Sequence, residues 1–137
     1  MRKLGIDYGD VRFGLAISDP MGIIASPLEV YTRKNTDADF EYLARIIKEK
    51  EVDTAVIGLP VNMDGTKGVR AEKSLAFGEN LQKFTAVKID YIDERLSTVS
   101  AEKALIEGNM RREKRKDVID KIAAQIFLQN YLDKPKP

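Results

Sequence analysis

The hydrophobic pattern of this chain keeps strand spacing up to about residue 37 and then alternates between helix and strand spacing, which restricts the fold to a mixed α/β sheet. Residues 3–8 and 12–18 read as strands, and Gly9-Asp10 between them is turn chemistry that predicts a hairpin. Asp19-Pro20-Met21-Gly22 predicts a second turn, and residues 23–30 a third strand. Beyond it, Asp37 can cap a helix over residues 38–50, with Phe40, Leu43, Ala44 and Ile47 on one face. Residues 54–58 form a short apolar run, as expected of a strand covered on both faces. A stretch of turn formers from Leu59 to Gly68 leads to a helix over 69–84, striped by Ala71, Leu75, Gly78 and Leu81. Residues 87–92 predict a further strand, more exposed because of Lys88 and Asp90. Ser97 or Thr98 can cap a short helix through Leu105 and Ile106 that ends near Gly108-Asn109. The last helix is expected over 117–132, with Val118, Ile119, Ile122, Ala123, Ile126 and Phe127 at helical spacing.

The resulting order, β-β-β-α-β-α-β-α-α, starts with three antiparallel strands and continues with parallel additions. It predicts one α/β domain over residues 1–133, a five-stranded mixed sheet flanked by helices, with a frayed polar tail at 134–137. At 137 residues and 43% hydrophobic content, the chain can bury one core. No apolar run approaches the roughly 20 residues that span a bilayer, and the N-terminus lacks signal-peptide features. The expectation is a cytoplasmic protein without a membrane partner.

Two absences confine the chemistry. With no cysteine there is no thiolate nucleophile or thiolate metal site, and with no histidine the commonest general base is missing. Hydrolysis would have to run on Asp, Glu, Lys, Ser, Thr or Tyr side chains or on a hard cation bound through oxygen, and oxygen-only ligation points to Mg²⁺ or Mn²⁺. Three acids suit that role. Asp7 ends the first strand, Glu94 follows the fifth, and Asp120 lies in the expected first turn of the last helix. Strand ends meeting a helix start are where α/β sheets place their sites. Three carboxylates there would need cations between them, and two ions about 3.5–4 Å apart can drive in-line displacement at phosphorus. Each acid also has a structural role open to it: Asp7 in the turn, Glu94 in a solvated loop, Asp120 at the helix dipole. Asp117, three residues before Asp120, can share its helix face as a metal ligand or cap the helix.

Four blocks carry a resemblance to a known family. They are Gly5-Ile6-Asp7-Tyr8-Gly9 with Arg12, Gly14 and Ser18-Asp19; Gly58-Leu59-Pro60 with Asn62-Met63-Asp64-Gly65; Asp93-Glu94-Arg95 with Thr98; and Asp120 with Ala123-Ala124. In this order the chain resembles the YqgF/RuvX family of small bacterial nucleases over nearly its whole length. The resemblance implies an RNase H-like fold, kinship with bacterial Holliday-junction resolvases, and a link to maturation of the 5′ end of 16S rRNA. It also implies that the family's acidic triad falls on Asp7, Glu94 and Asp120, holding two divalent ions.

The formal charge is only +1, so a nucleic-acid partner requires a local basic patch. Arg111, Arg112, Lys114, Arg115 and Lys116 supply the densest one, read as a loop leading into the Asp120 helix. Arg12, Asn62 and Thr98 are further candidate contacts. The function expected is metal-dependent cleavage of pre-16S rRNA, with ribosomal precursor particles as partners. The alternatives are resolution of four-way DNA junctions, which predicts a symmetric dimer, and a non-catalytic RNA-binding or transcription-associated factor. An ATPase related to the actin-like kinases would need a second domain, for which 137 residues leave no room.

Overall fold

The computed structural model describes residues 1–60, 68–93 and 112–134, with side chains in the last segment described from Ile122 onward. Strands β1 (Arg2–Tyr8), β2 (Arg12–Ser18) and β3 (Ala25–Thr32) are followed by helix α1 (Thr36–Glu49) and strand β4 (Val52–Leu59). Helix α2 (Val69–Leu81), strand β5 (Lys88–Asp93) and helix α3 (Arg112–Asp133) complete the described elements. The five strands form one sheet in the order β3-β2-β1-β4-β5. β1, β2 and β3 pair antiparallel, whereas β4 joins β1 and β5 joins β4 in parallel. This is the mixed sheet that three leading strands followed by helix–strand alternation predict.

Alternation along β1 divides the interior in two. Leu4 and Ile6 are fully buried against the α1 and α2 side, in a core with Phe13, Leu15, Leu43, Phe77 and Leu81. The opposite face belongs to α3, whose Ala123, Ala124, Phe127 and Leu128 pack on Ala16, Ala25, Val56 and Ile92. β4 is covered on both faces and is buried along most of its length. β5 is one of the two edge strands, which accounts for its exposed Lys88.

Several expectations need correction. α1 is capped by Asn35, whose side chain accepts a hydrogen bond from the Ala38 amide at 2.9 Å; Asp37 is already inside the first turn. β3 begins at Ala25 rather than at 23. The reason is Asp19, whose carboxylate accepts from the amides of Ile23 and Ile24 at 2.7 and 2.9 Å and holds them in the turn. α3 begins at Arg112, so residues 112–116 of the basic run are helical and Asp117 is not its cap. Asp120 therefore stands in the third turn. The buried face of α3 is also rotated from the expected stripe: Ala124 and Leu128 are fully buried, while Ile122 and Ile126 are half-buried. The short helix expected near residues 98–109 lies outside the described residues.

Candidate active site at the carboxyl end of β1

The crossing of α3 over β1 defines the site. Gly5 faces α3 so closely that a Cβ there would meet the Leu128 Cβ at 3.0 Å and the Ala124 carbonyl oxygen at 3.1 Å. Asp7 is two residues further along the same strand, and therefore on the same face. At the other end of α3, Tyr131 and Leu132 line a cleft with Lys3 and Thr54, at the amino ends of β1 and β4. α3 thus runs antiparallel to β1, and its first turns lie toward the strands' carboxyl ends. From Gly5 to Asp7 the strand advances about 7 Å. From Ala124 back to position 120 the helix retreats one turn, about 6 Å. Backbone position 120 and Asp7 consequently progress toward the same end of the sheet.

Register brings β5 to that end as well. Ile6 pairs with Ile57, which pairs with Tyr91, and Leu59 pairs with Asp93. Asp93 closes β5 one strand beyond Leu59, and Glu94 follows it outside the described residues. Asp7 is half-buried opposite Gly14 of β2. Of the remaining candidates, Arg12 opens β2 opposite Thr32. Arg112, Lys114, Arg115, Lys116 and Asp117 lie on the first two turns of α3. Asn62, Thr98 and Arg111 are outside the described residues. Among the described residues, no three acidic side chains gather as a metal-binding group.

The turn beside Asp7 is held by residues that the sequence did not single out. A Cβ on Gly9 would sit 2.6 Å from the Arg12 carbonyl oxygen, so the turn demands glycine there. Arg33, in the link between β3 and α1, donates from Nη1 to the carbonyl oxygens of Gly9 and Asp10 at 3.1 and 3.2 Å. Its guanidinium lies 5.2 and 5.3 Å from the ring centroids of Tyr8 and Phe13. Arg33 Nε donates to Asp39 at 3.3 Å, and Asp39, only 2% exposed, also accepts from the Tyr31 hydroxyl and the Lys34 amide at 2.9 Å. Burial first, then the bond to Asp39, pushes the Tyr31 hydroxyl's pKa up and keeps it a donor. Asp39 carries no sequence signal of this role, since an acid in a first helical turn ordinarily answers the helix dipole.

A cavity of about 230 Å³ adjoins this cluster, bounded by Tyr8, Phe13, Arg33, Asp39, Lys73 and Phe77. Its cations already have partners: Arg33 bonds Asp39, and Lys73 pairs with the exposed Asp10 at 3.4 Å.

A mixed sheet in this order, with an acid at the carboxyl end of its central strand and a long helix crossing behind it, has RNase H-like architecture. Thermus thermophilus RuvC, solved in complex with a Holliday junction substrate, superposes with a TM-score of 0.59 at 12% identity, across 100% of this chain and 99% of that one. The fowlpox virus Holliday junction resolvase gives 0.55 at 13% identity, across 97% and 99%. At such identities the likeness concerns the fold.

The chain belongs to the RuvX family, described as Holliday junction resolvase, whose profile matches residues 1–134. A protein of Halothermothrix orenii named "Putative pre-16S rRNA nuclease" is 50% identical over 133 residues, 97% of this chain and 95% of its own. A relative of the same name from Halalkalibacterium halodurans is 48% identical over 136 residues, 98% and 97% of the two chains.

Proposed function

We propose that the protein is a metal-dependent endonuclease that hydrolyses phosphodiesters in the 5′ leader of pre-16S rRNA. The observation that carries this reading is the position of Asp7, at the carboxyl end of the central strand and on the face crossed by α3. Family membership and the relatives' names supply the substrate class. The donor chemistry fits a hard divalent ion: the chain offers carboxylates but neither histidine nor cysteine. Asp7, Glu94 and Asp120 would hold Mg²⁺ or Mn²⁺, with Asp117 as a further candidate. When bound, such ions activate water and neutralise charge on the leaving oxygen.

The protein's own contribution is positional. β1 fixes Asp7 within a sheet bonded on both sides, and the packing of Ala124 and Leu128 fixes the height of α3 above it. Arg112, Lys114, Arg115 and Lys116, at the start of α3, would draw the phosphate backbone toward the same end of the sheet. Arg111, Arg12, Asn62 and Thr98 are proposed to bind the substrate as well.

The test incubates wild type and Asp7→Asn with labelled pre-16S 5′-leader RNA and, in parallel, with a four-way DNA junction, each with Mg²⁺, Mn²⁺ or chelator. Metal-dependent cutting of the RNA by wild type alone is the expected result. Cutting of the junction alone would transfer the activity to DNA resolution, in line with the family description. Equal RNA binding by both proteins without cutting would overturn the catalytic reading in favour of a binding factor.

A further inference from the structure

Arg33 reaches the turn after β1 through both its backbone amide and its side chain. Its backbone N–H donates to the Val11 carbonyl oxygen at 3.0 Å, and Nη1 donates to Gly9, Asp10 and the Tyr8 hydroxyl at 3.1, 3.2 and 3.3 Å. Three successive carbonyls, beginning two residues after Asp7, thus converge on one side chain and its own amide. On its other side, Nε is tied to the buried Asp39 carboxylate, which Tyr31 of β3 and the Lys34 amide also hold. Gly9 admits no Cβ, so the turn cannot be braced by a side chain of its own at that position. The planar guanidinium, close to the rings of Tyr8 and Phe13, can serve several acceptors at once, which a lysine ammonium on a flexible stem cannot reproduce.

We infer that Arg33 is a positioning residue for the Asp7 site: anchored by Asp39, it fixes the Gly9–Asp10–Val11 turn and, through it, the end of β1 from which Asp7 projects. This rests on the reading of Asp7 as a metal ligand. Arg33 is assigned no direct part in the reaction: its Nε and Nη1 donors are spent on Asp39, Tyr8 and the turn carbonyls. Outer groups that orient metal ligands commonly influence metal affinity about 10- to 100-fold.

The experiment compares wild type, Asp7→Asn, Arg33→Met and Arg33→Lys in full-length protein. It follows Mn²⁺ binding by electron paramagnetic resonance, amide exchange across residues 9–12, and kcat and KM on the cleaved substrate. Arg33→Met, which keeps an unbranched side chain and removes the donors, is expected to weaken Mn²⁺ binding about tenfold. It should also accelerate exchange in the turn and lower kcat with little change in KM. Arg33→Lys is expected to fall between Arg33→Met and wild type, and provides the comparison if Arg33→Met fails to fold. Wild-type Mn²⁺ affinity in the Arg33 variants, with Asp7→Asn impaired, would overturn the inference alone. A raised KM with unchanged kcat would also overturn it, by making Arg33 a substrate-binding residue. Wild-type affinity in Asp7→Asn would overturn the metal reading of Asp7, and the inference with it.

Discussion

Gly5 of β1 and Leu128 of α3 stand so close that a Cβ on the glycine would lie 3.0 Å from the leucine Cβ. This approach sets the height of α3 over the sheet, and the backbone oxygen of Ala124, 3.1 Å from the same point, leaves no slack. Gly5→Ala should therefore lift the helix and destabilise the protein by about 1–3 kcal/mol, with Gly5→Val worse. Urea unfolding measures the loss. A cost below about 0.5 kcal/mol, the range of inert surface changes, would mean that α3 is not seated on β1 in this way.

Glu51 is the one non-glycine among the described residues with positive φ, at 55°, just after the end of α1. Left-handed backbone costs an L-residue roughly 1–2 kcal/mol, and glycine returns part of that as greater unfolded-state entropy. Glu51→Gly is expected to raise stability by about 0.5–1 kcal/mol. Thermal unfolding would show a higher midpoint. A lower one would mean that the exposed glutamate contributes more than its backbone strain costs.

Two tyrosines give the fold an alkaline limit. Tyr131 is raised from 10.0 to about 12 by burial and then by its hydrogen bond to Asp90. Tyr42 is raised to about 12 by burial and then by its bond to Glu29. A pKa raised on folding means that the proton is held more tightly in the native state. The stabilisation is therefore complete below pH 10 and is lost as the pH climbs toward 12. Unfolding free energy measured from pH 9 to 12 should fall across that window, and Tyr131→Phe should flatten the fall. An equally steep fall in Tyr131→Phe would remove Tyr131 from the explanation.

The basic run at residues 111–116 should be visible in salt titrations. Replacing Arg111, Arg112 and Arg115 with glutamine is expected to weaken nucleic-acid binding and reduce the slope of log K against log salt. The reduction would be about 0.7–0.9 for each phosphate that the variant no longer neutralises. An unchanged slope would exclude these arginines from the interface.

The architecture was legible in the sequence because its signals are local. Alternation in residues 3–18, the Gly9-Asp10 turn and the helical recurrence of Phe40, Leu43 and Ile47 each act over a few residues. Boundaries were less legible where side chains compete for the same backbone groups. Asn35 and Asp37 can both cap a helix, and the structure selects Asn35. Asp19 could only be read as a turn former, yet its bonds to Ile23 and Ile24 delay β3 by two residues. On α3, Ala123 and Phe127 are buried as expected, but the face is rotated toward Ala124 and Leu128 and away from the more hydrophobic Ile122 and Ile126. Close approach to Gly5 favours the small side chains.

By itself, the sequence determined the mixed sheet, the absence of histidine and cysteine donors, and Asp7 as the acid at a strand end, since these follow from residue type, element order and short-range spacing. Only the tertiary structure decided that α3 runs antiparallel to β1, that the basic run from Arg112 to Lys116 is helical, and that Arg33 and Asp39 clasp the turn beside Asp7. The physical reason is range. Hydrogen bonds such as that from Arg33 to Gly9 join residues far apart in the chain, and packing such as Leu128 on Gly5 spans nearly its whole length. No periodicity within a strand or helix encodes either.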